Sequence, residues 1–390
     1  MLLATATANT SITVLLGTFK TIGRSNDCNG IAIDTMSYAW AWGYNISGQL
    51  GDNTTSRRSS PVSVVGGNQW KTIGIGHGSG ALNLSSYAWA WGENTSGTVG
   101  DNTINNRSSP TSVVGGKQWL ALTVGRQHVA ALDSNSYAWA WGNNSEGQLG
   151  NNITNNNSSP ISVIGGKQWI FIAAGGHACV AIDSNSYAWS WGGNTDGQLG
   201  DNTTSRRSSP VSVVGGNQWK MTVQHDGDGF GLDSKSYAWG WGWNSFGQLG
   251  NNDQTSKSSP VSVVGGKQWL AINMNYELVA ALDSNSYAWA WGDNSSGTLG
   301  QNDVQWRSSP TSCVGGKQYV AISGGGNGFV DTRSHTFAID VNGTLYSWGI
   351  NGHGQLGNNT TTLKSSPSIG VSPTSKLPRN PFGKMGGVNR

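Results

Sequence analysis

Apolar and polar positions alternate along this chain in short runs, each closed by Gly, Asn or Ser. One unit shows the grammar: QWLALTV (118–124), VAALD (129–133) and YAWAW (137–141), with PTSVV (110–114) as a fourth run ending at Gly115-Gly116. Alternation with a period of two and bounding turn residues predicts β-strands, not helices. Proline cannot donate to a strand ladder, so the proline-bearing run is expected at an outer edge. In the YAWAW run the large rings point to one side and the two alanines to the other.

The runs belong to a phrase that recurs. SYAWAWGNNSEGQLGNN (136–152) returns, with small changes, at 38–52, 87–101, 187–201, 237–251 and 287–301, and more loosely at 345–358. Its Trp-Gly pair falls at Trp42, Trp91, Trp141, Trp191, Trp241, Trp291 and Trp348, spaced by 49, then four times by 50, then by 57 residues. Four short strands repeated at a period near 50 predict an all-β chain: a seven-bladed β-propeller of four-stranded blades, about 50 residues per repeat. The bulky face of one blade would fill the alanine face of the next.

The phrase WGxNxxGQLG, preceded by a strand such as SHTFAIDVNGTLYSWG (334–349), resembles the regulator of chromosome condensation repeat family. The resemblance runs from about residue 11 to 372 and implies a seven-bladed propeller, in agreement with the count. The family's namesake exchanges guanine nucleotide on a small GTPase and docks on nucleosomes through a basic tail. Other relatives are extracellular inhibitors or binding modules. This chain shows no basic N-terminal stretch, and its one surplus over the repeat is about seven residues around 324–333.

Domain organisation follows from the repeats. Residues 1–372 form one propeller, whose ring the segment 11–17 (SITVLLG) closes by pairing into blade seven beside 365–371. Residues 373–390 form a basic, proline-containing tail with Lys376, Arg379, Lys384 and Arg390 and no acid. That composition suits an extended arm making an assembly contact.

Composition then narrows the chemistry. Twenty Trp and 58 Gly accompany only 11% charged residues, and the formal charge is +3. No Lys/Arg cluster marks the repeats, so no nucleic-acid partner is expected. Three scattered cysteines give no disulfide framework. The six histidines lie in different units without HExxH or CxxC spacing, so neither a metal nor a cofactor is expected. No Ser-His-Asp or Cys-His set is apparent, and the chain reads as a non-enzyme. Residues 1–17 lack the basic region of a signal peptide and are too short and broken for a membrane span.

The units differ from one another unevenly. Residues 51–71 and 200–220 are identical, and the turn between second and third strands barely changes. The links between first and second strands and between third and fourth strands vary freely. In an antiparallel blade both links lie at one end, so one face of the disc carries the variation, as a binding face on a rigid scaffold does. Blade five supplies His225, Asp226, Asp228, Phe230, Trp243 and Phe246; blade six supplies Tyr276, Glu277 and Trp306. Tyr44, Arg126, His128 and His177 extend the patch. The function expected is a binding or decoration module that meets a protein or glycan surface, on a virion or cell surface ahead of the cytoplasm. The alternative is an intracellular interaction scaffold or guanine-nucleotide-exchange-like regulator.

Deleting residues 1–17 should lower the melting temperature sharply by opening the ring and exposing an edge. Calorimetry of the truncated chain checks this, and an unchanged transition would refute the closure role.

Overall fold

The computed structural model describes residues 18–25, 28–274, 277–327 and 331–370. Among them every regular element is a strand, and the strands form seven sheets whose order follows the chain. Blade three is typical: Trp119–Val124, His128–Asp133, Ala138–Gly142 and Asn157–Ser162 pair antiparallel in sequence order. First strands lie innermost and fourth strands outermost. One addition breaks the uniformity. Arg24–Ser25 joins the inner edge of blade two, parallel to Trp70–Ile75.

The fourth strand starts earlier than its apolar run suggests. In blade two it spans Arg107–Ser112, with Pro110 inside it. The pairing jumps from Gly92↔Arg107 to Ala90↔Thr111, so the proline sits where the ladder is irregular and no N–H is needed. The surplus in blade seven also takes an unexpected form. It lengthens the first two strands to nine and ten residues, Tyr319–Asn327 and Asp331–Asp340.

Each blade interface repeats one packing motif. Trp169 and Trp191 of blade four lie against Ala138, Ala140 and Leu149 of blade three, all buried. Burying an indole removes about 200 Å² from water, an upper limit of about 5 kcal/mol per ring at 25 cal/mol/Å². The ring also has to place its N–H. Trp191 Nε1 donates to the Gln148 carbonyl of the preceding blade at 3.0 Å, and Trp91, Trp141, Trp241 and Trp291 make the same bond to Gln49, Thr98, Gln198 and Gln248. Gly150 permits this approach. Its φ is +67°, and a Cβ there would lie 2.8 Å from Trp191 Nε1.

The seam between blades seven and one uses the same device. Trp42 Nε1 donates to Gln355 O at 2.8 Å, Phe19 N donates to Gly343 O at 3.1 Å, and Trp42 meets Phe337 edge-on. The pairing expected of 11–17 and the tail 373–390 lie outside the described residues.

The aspartate at the end of each second strand caps the following turn. Asp133 Oδ1 accepts the N–H groups of Asn135 and Tyr137, while Oδ2 accepts Trp139 Nε1 at 2.9 Å. Blade two carries Asn83 at this position. Its Oδ1 accepts Tyr87 N, but the amide nitrogen cannot accept the indole, and Trp89 Nε1 is buried without a partner.

This internal contrast gives a prediction. Asn83→Asp should raise unfolding stability by about 1 kcal/mol, and Asp133→Asn should lower it by about 1–2 kcal/mol. Urea denaturation measures both, and equal stabilities across the three proteins would refute the indole account.

Candidate functional site

All the variable links emerge on one end of the blades, as antiparallel pairing requires. Their floors are held alike. Asn144, fully buried, donates to Asn151 Oδ1, Ile153 O and Asn155 O at 3.0 Å and accepts Leu149 N at 2.9 Å. Asn45, Asn94, Asn194, Asn244, Asn294 and Asn351 are likewise fully buried at the equivalent positions. With the base of each link fixed from within, its tip can change without disturbing the blade.

A cavity of about 360 Å³ opens on this face, walled by blades three, four and five. Arg126 and Glu146 come from blade three, His177, Asp196 and Gln198 from blade four, and Asp226 and Trp243 from blade five. The structure thus unites four residues singled out by sequence: Arg126, His177, Asp226 and Trp243. It adds Glu146 and Asp196, which share one repeat position. Blades one, two and six carry Ser47, Ser96 and Ser296 there, and blade five carries Phe246. That contrast was the available signal.

A line of polar contacts runs from the cavity wall into blade two. Asp226 Oδ2 lies 3.9 Å from Arg126 Nη1, Arg126 Nε lies 3.3 Å from His77 Nε2, and His77 Nδ1 lies 3.1 Å from Glu93 Oε2. The hydrogen bond from His77 holds the Glu93 carboxyl below the usual carboxylate range. Asp226 folds over blade four because Gly176 has no side chain; a Cβ there would collide with Asp226 Oδ1.

Beside the cavity, three aromatic rings bridge blades five and six. Phe246 stands edge-on to Trp243 at 5.4 Å and to Trp306 at 4.7 Å between centroids, while Trp306 remains 49% exposed. Tyr44 lies elsewhere on the ring, stacked with His353 and under Arg57.

Four expected contact residues prove to be interior. Phe230 is fully buried and packs near Trp291, because Gly240 opposite it leaves room where blade three has Ala140. His128 is fully buried with Nε2 3.2 Å from Cys179 Sγ, in the joint between blades three and four. His225 and Asp228 are 2% and 1% exposed, drawn inward by the hairpin bond from His225 N to Asp228 O. For Phe230, His128 and Asp228 the second strand begins closer to the variable loop than the apolar run indicates, whereas His225 directly follows the first strand of blade five. Tyr276 lies outside the described residues.

Glu277 is half-buried in the link of blade six, and burial, aided by Asp293, pushes its carboxyl up to about 7. His335, fully buried, is lowered to about 4 by burial, against a bond to Asn29 O that favours its charged form. The signs oppose. Folded Glu277 holds a proton that the unfolded chain releases, so its contribution is present at low pH and lost as pH rises from about 4.5 to 7. The His335 contribution is present above about 6.5 and lost as pH falls towards 4. Glu277→Gln should therefore melt above the wild type at pH 8 and with it at pH 4.5. A gap of equal size at both pH values would refute the burial argument.

Comparison with known proteins agrees with this architecture. The regulator of chromosome condensation (RCC1) repeat pattern matches residues 87–132, 137–182 and 237–273, and a second pattern of the same description matches 120–148 and 333–355. Human WBSCR16 superposes with a TM-score of 0.75 at 19% identity, covering 86% of this chain and 94% of that one. Yeast RCC1 (Prp20) bound to Kap60 gives 0.74 at 17% identity, covering 90% and 85%. Prp20p from Saccharomyces cerevisiae, described with its binding to Gsp1p and histones, gives 0.73 at 18% identity, covering 90% and 88%. At such identities the superpositions show the fold alone. No curated protein matches the sequence. Repeat pattern, blade count and superposition agree: the chain carries repeats of the regulator of chromosome condensation pattern and folds as a seven-bladed β-propeller.

Proposed function

We propose that this propeller is a protein-interaction module whose partner docks on the link-bearing face, over the cavity of blades three to five. The observation that carries the reading is the convergence of Arg126, His177, Asp226 and Trp243, drawn from four variable links of three blades, around one 360 Å³ opening. Beside it Trp243, Phe246 and Trp306 offer aromatic area with few rotamers left to lose, since Phe246 already fixes both neighbours. The yeast protein of this fold is described with protein partners, Kap60, Gsp1p and histones, which favours a protein over a glycan on this face.

An exchange-like role is the second reading, supported by the fold shared with the yeast protein. It makes a distinct demand: the partner must be a small GTPase, and binding must speed release of its nucleotide.

Two double variants test the docking reading. Trp243→Ala with Trp306→Ala should weaken capture of the partner at least tenfold, as removal of central aromatic anchors does. Asn135→Ala with Asn185→Ala, on the opposite face, should leave it unchanged. Quantitative pull-downs with the full chain, after melting curves confirm folding, decide between them. Loss confined to the second pair would place the working face on the other side.

A further inference from the structure

The opposite face carries a site of its own. A second cavity, of about 530 Å³, opens between blades four and five at the turn end of the disc. Its walls include Tyr187 of blade four, Asn217 and Gln218 of the linker, and the oppositely charged Asp233 and Lys235 with Tyr237 and Trp239 of blade five. Tyr187 and Tyr237 are 44% and 38% exposed.

Comparison with the other blades shows what is different about this groove. Before blades three, four and six the linker carries a lysine whose Nζ sits 3.9, 3.7 and 3.9 Å above the centroids of Trp139, Trp189 and Trp289. Lys317 covers Tyr346 of blade seven in the same way at 5.3 Å. Before blade five the residue is Asn217, and before blade two it is Asn68. The cation that covers the indole elsewhere is replaced by a short neutral amide, and the Trp239 ring lines the groove. The edge of that ring is already fixed, since Trp239 Nε1 donates to Asp233 Oδ2 at 3.1 Å.

From this geometry we infer that the groove binds a neutral β-1,4-linked oligosaccharide. An all-equatorial pyranose presents a flat C–H face that stacks on an indole or phenol, while its hydroxyls need donors and acceptors at the ring edge. Trp239, Tyr187 and Tyr237 supply the faces. The Asn217 and Gln218 amides supply the edge; among the described residues neither side chain has a hydrogen-bond partner in the protein. The volume is that of a small-ligand site, and it is open to solvent on one side. Asn68 stands at the same linker position before Trp89. This site is separate from the docking face and does not rest on it.

The repeats themselves supply the test. Lysine is native to the equivalent linker positions, so Asn68→Lys with Asn217→Lys restores a lid that other blades tolerate. Cellopentaose and chitopentaose would be titrated into the full chain by calorimetry and tryptophan fluorescence. Wild type should bind at least one of them, and the double variant should bind at least tenfold more weakly with an unchanged melting temperature. Lys167→Asn, which uncovers Trp189, should raise the binding stoichiometry. No binding of either sugar at millimolar concentration, or binding undiminished in the double variant, would overturn the inference. Binding that survives the lysines but disappears in Trp243→Ala would also overturn it, by moving the sugar to the link face.

Discussion

The ring depends on the indole that reaches back to the preceding blade. Trp191 fills the shallow face made by Ala138 and Ala140 and at the same time donates to the Gln148 carbonyl. An apolar contact alone would tolerate sliding between sheets, because hydrophobic burial has no direction. A hydrogen bond buried in that contact cannot be shifted without orphaning a donor, and so it fixes the register of one blade on the next. The Trp42 bond to Gln355 extends the rule across the seam between blades seven and one.

This constraint explains where variation is allowed. The carbonyl that receives the indole lies in the third-to-fourth link, and a buried asparagine such as Asn144 ties that link together from below. Fixed at its base, the link can present Glu146 in blade three, Asp196 in blade four or Phe246 in blade five at one geometric position. The turn face is constrained differently. There a single aspartate such as Asp133 serves both the turn and the neighbouring indole, which leaves the linker position before each blade as the place for change. Lysine there covers an aromatic face, and Asn217 uncovers one.

Substitutions inside the blades come in compensating pairs. Phe230 fills space that Gly240 vacates, a large residue facing a small one where blade three pairs Ala130 with Ala140. Blade two lacks such compensation at Asn83, whose amide leaves Trp89 Nε1 unpaired.

Much of this was legible from residues alone. The period near 50, alternation in YAWAW and a proline-bearing edge run determined the strands, the seven blades and the face on which the links lie, since these follow from local geometry and counting. Arg126, His177, Asp226 and Trp243 could be picked out because they depart from their own repeat. Tertiary structure alone decided which departures reach the surface. Phe230 and His128 depart from their repeats just as the exposed residues do, but the neighbouring blade covers them. It also decided which residues meet, because Arg126 and Asp226 are 100 positions apart and face each other only after the ring bends. Sequence distance carries no record of curvature, which arises from the packing of each tryptophan against the alanines of the blade before it.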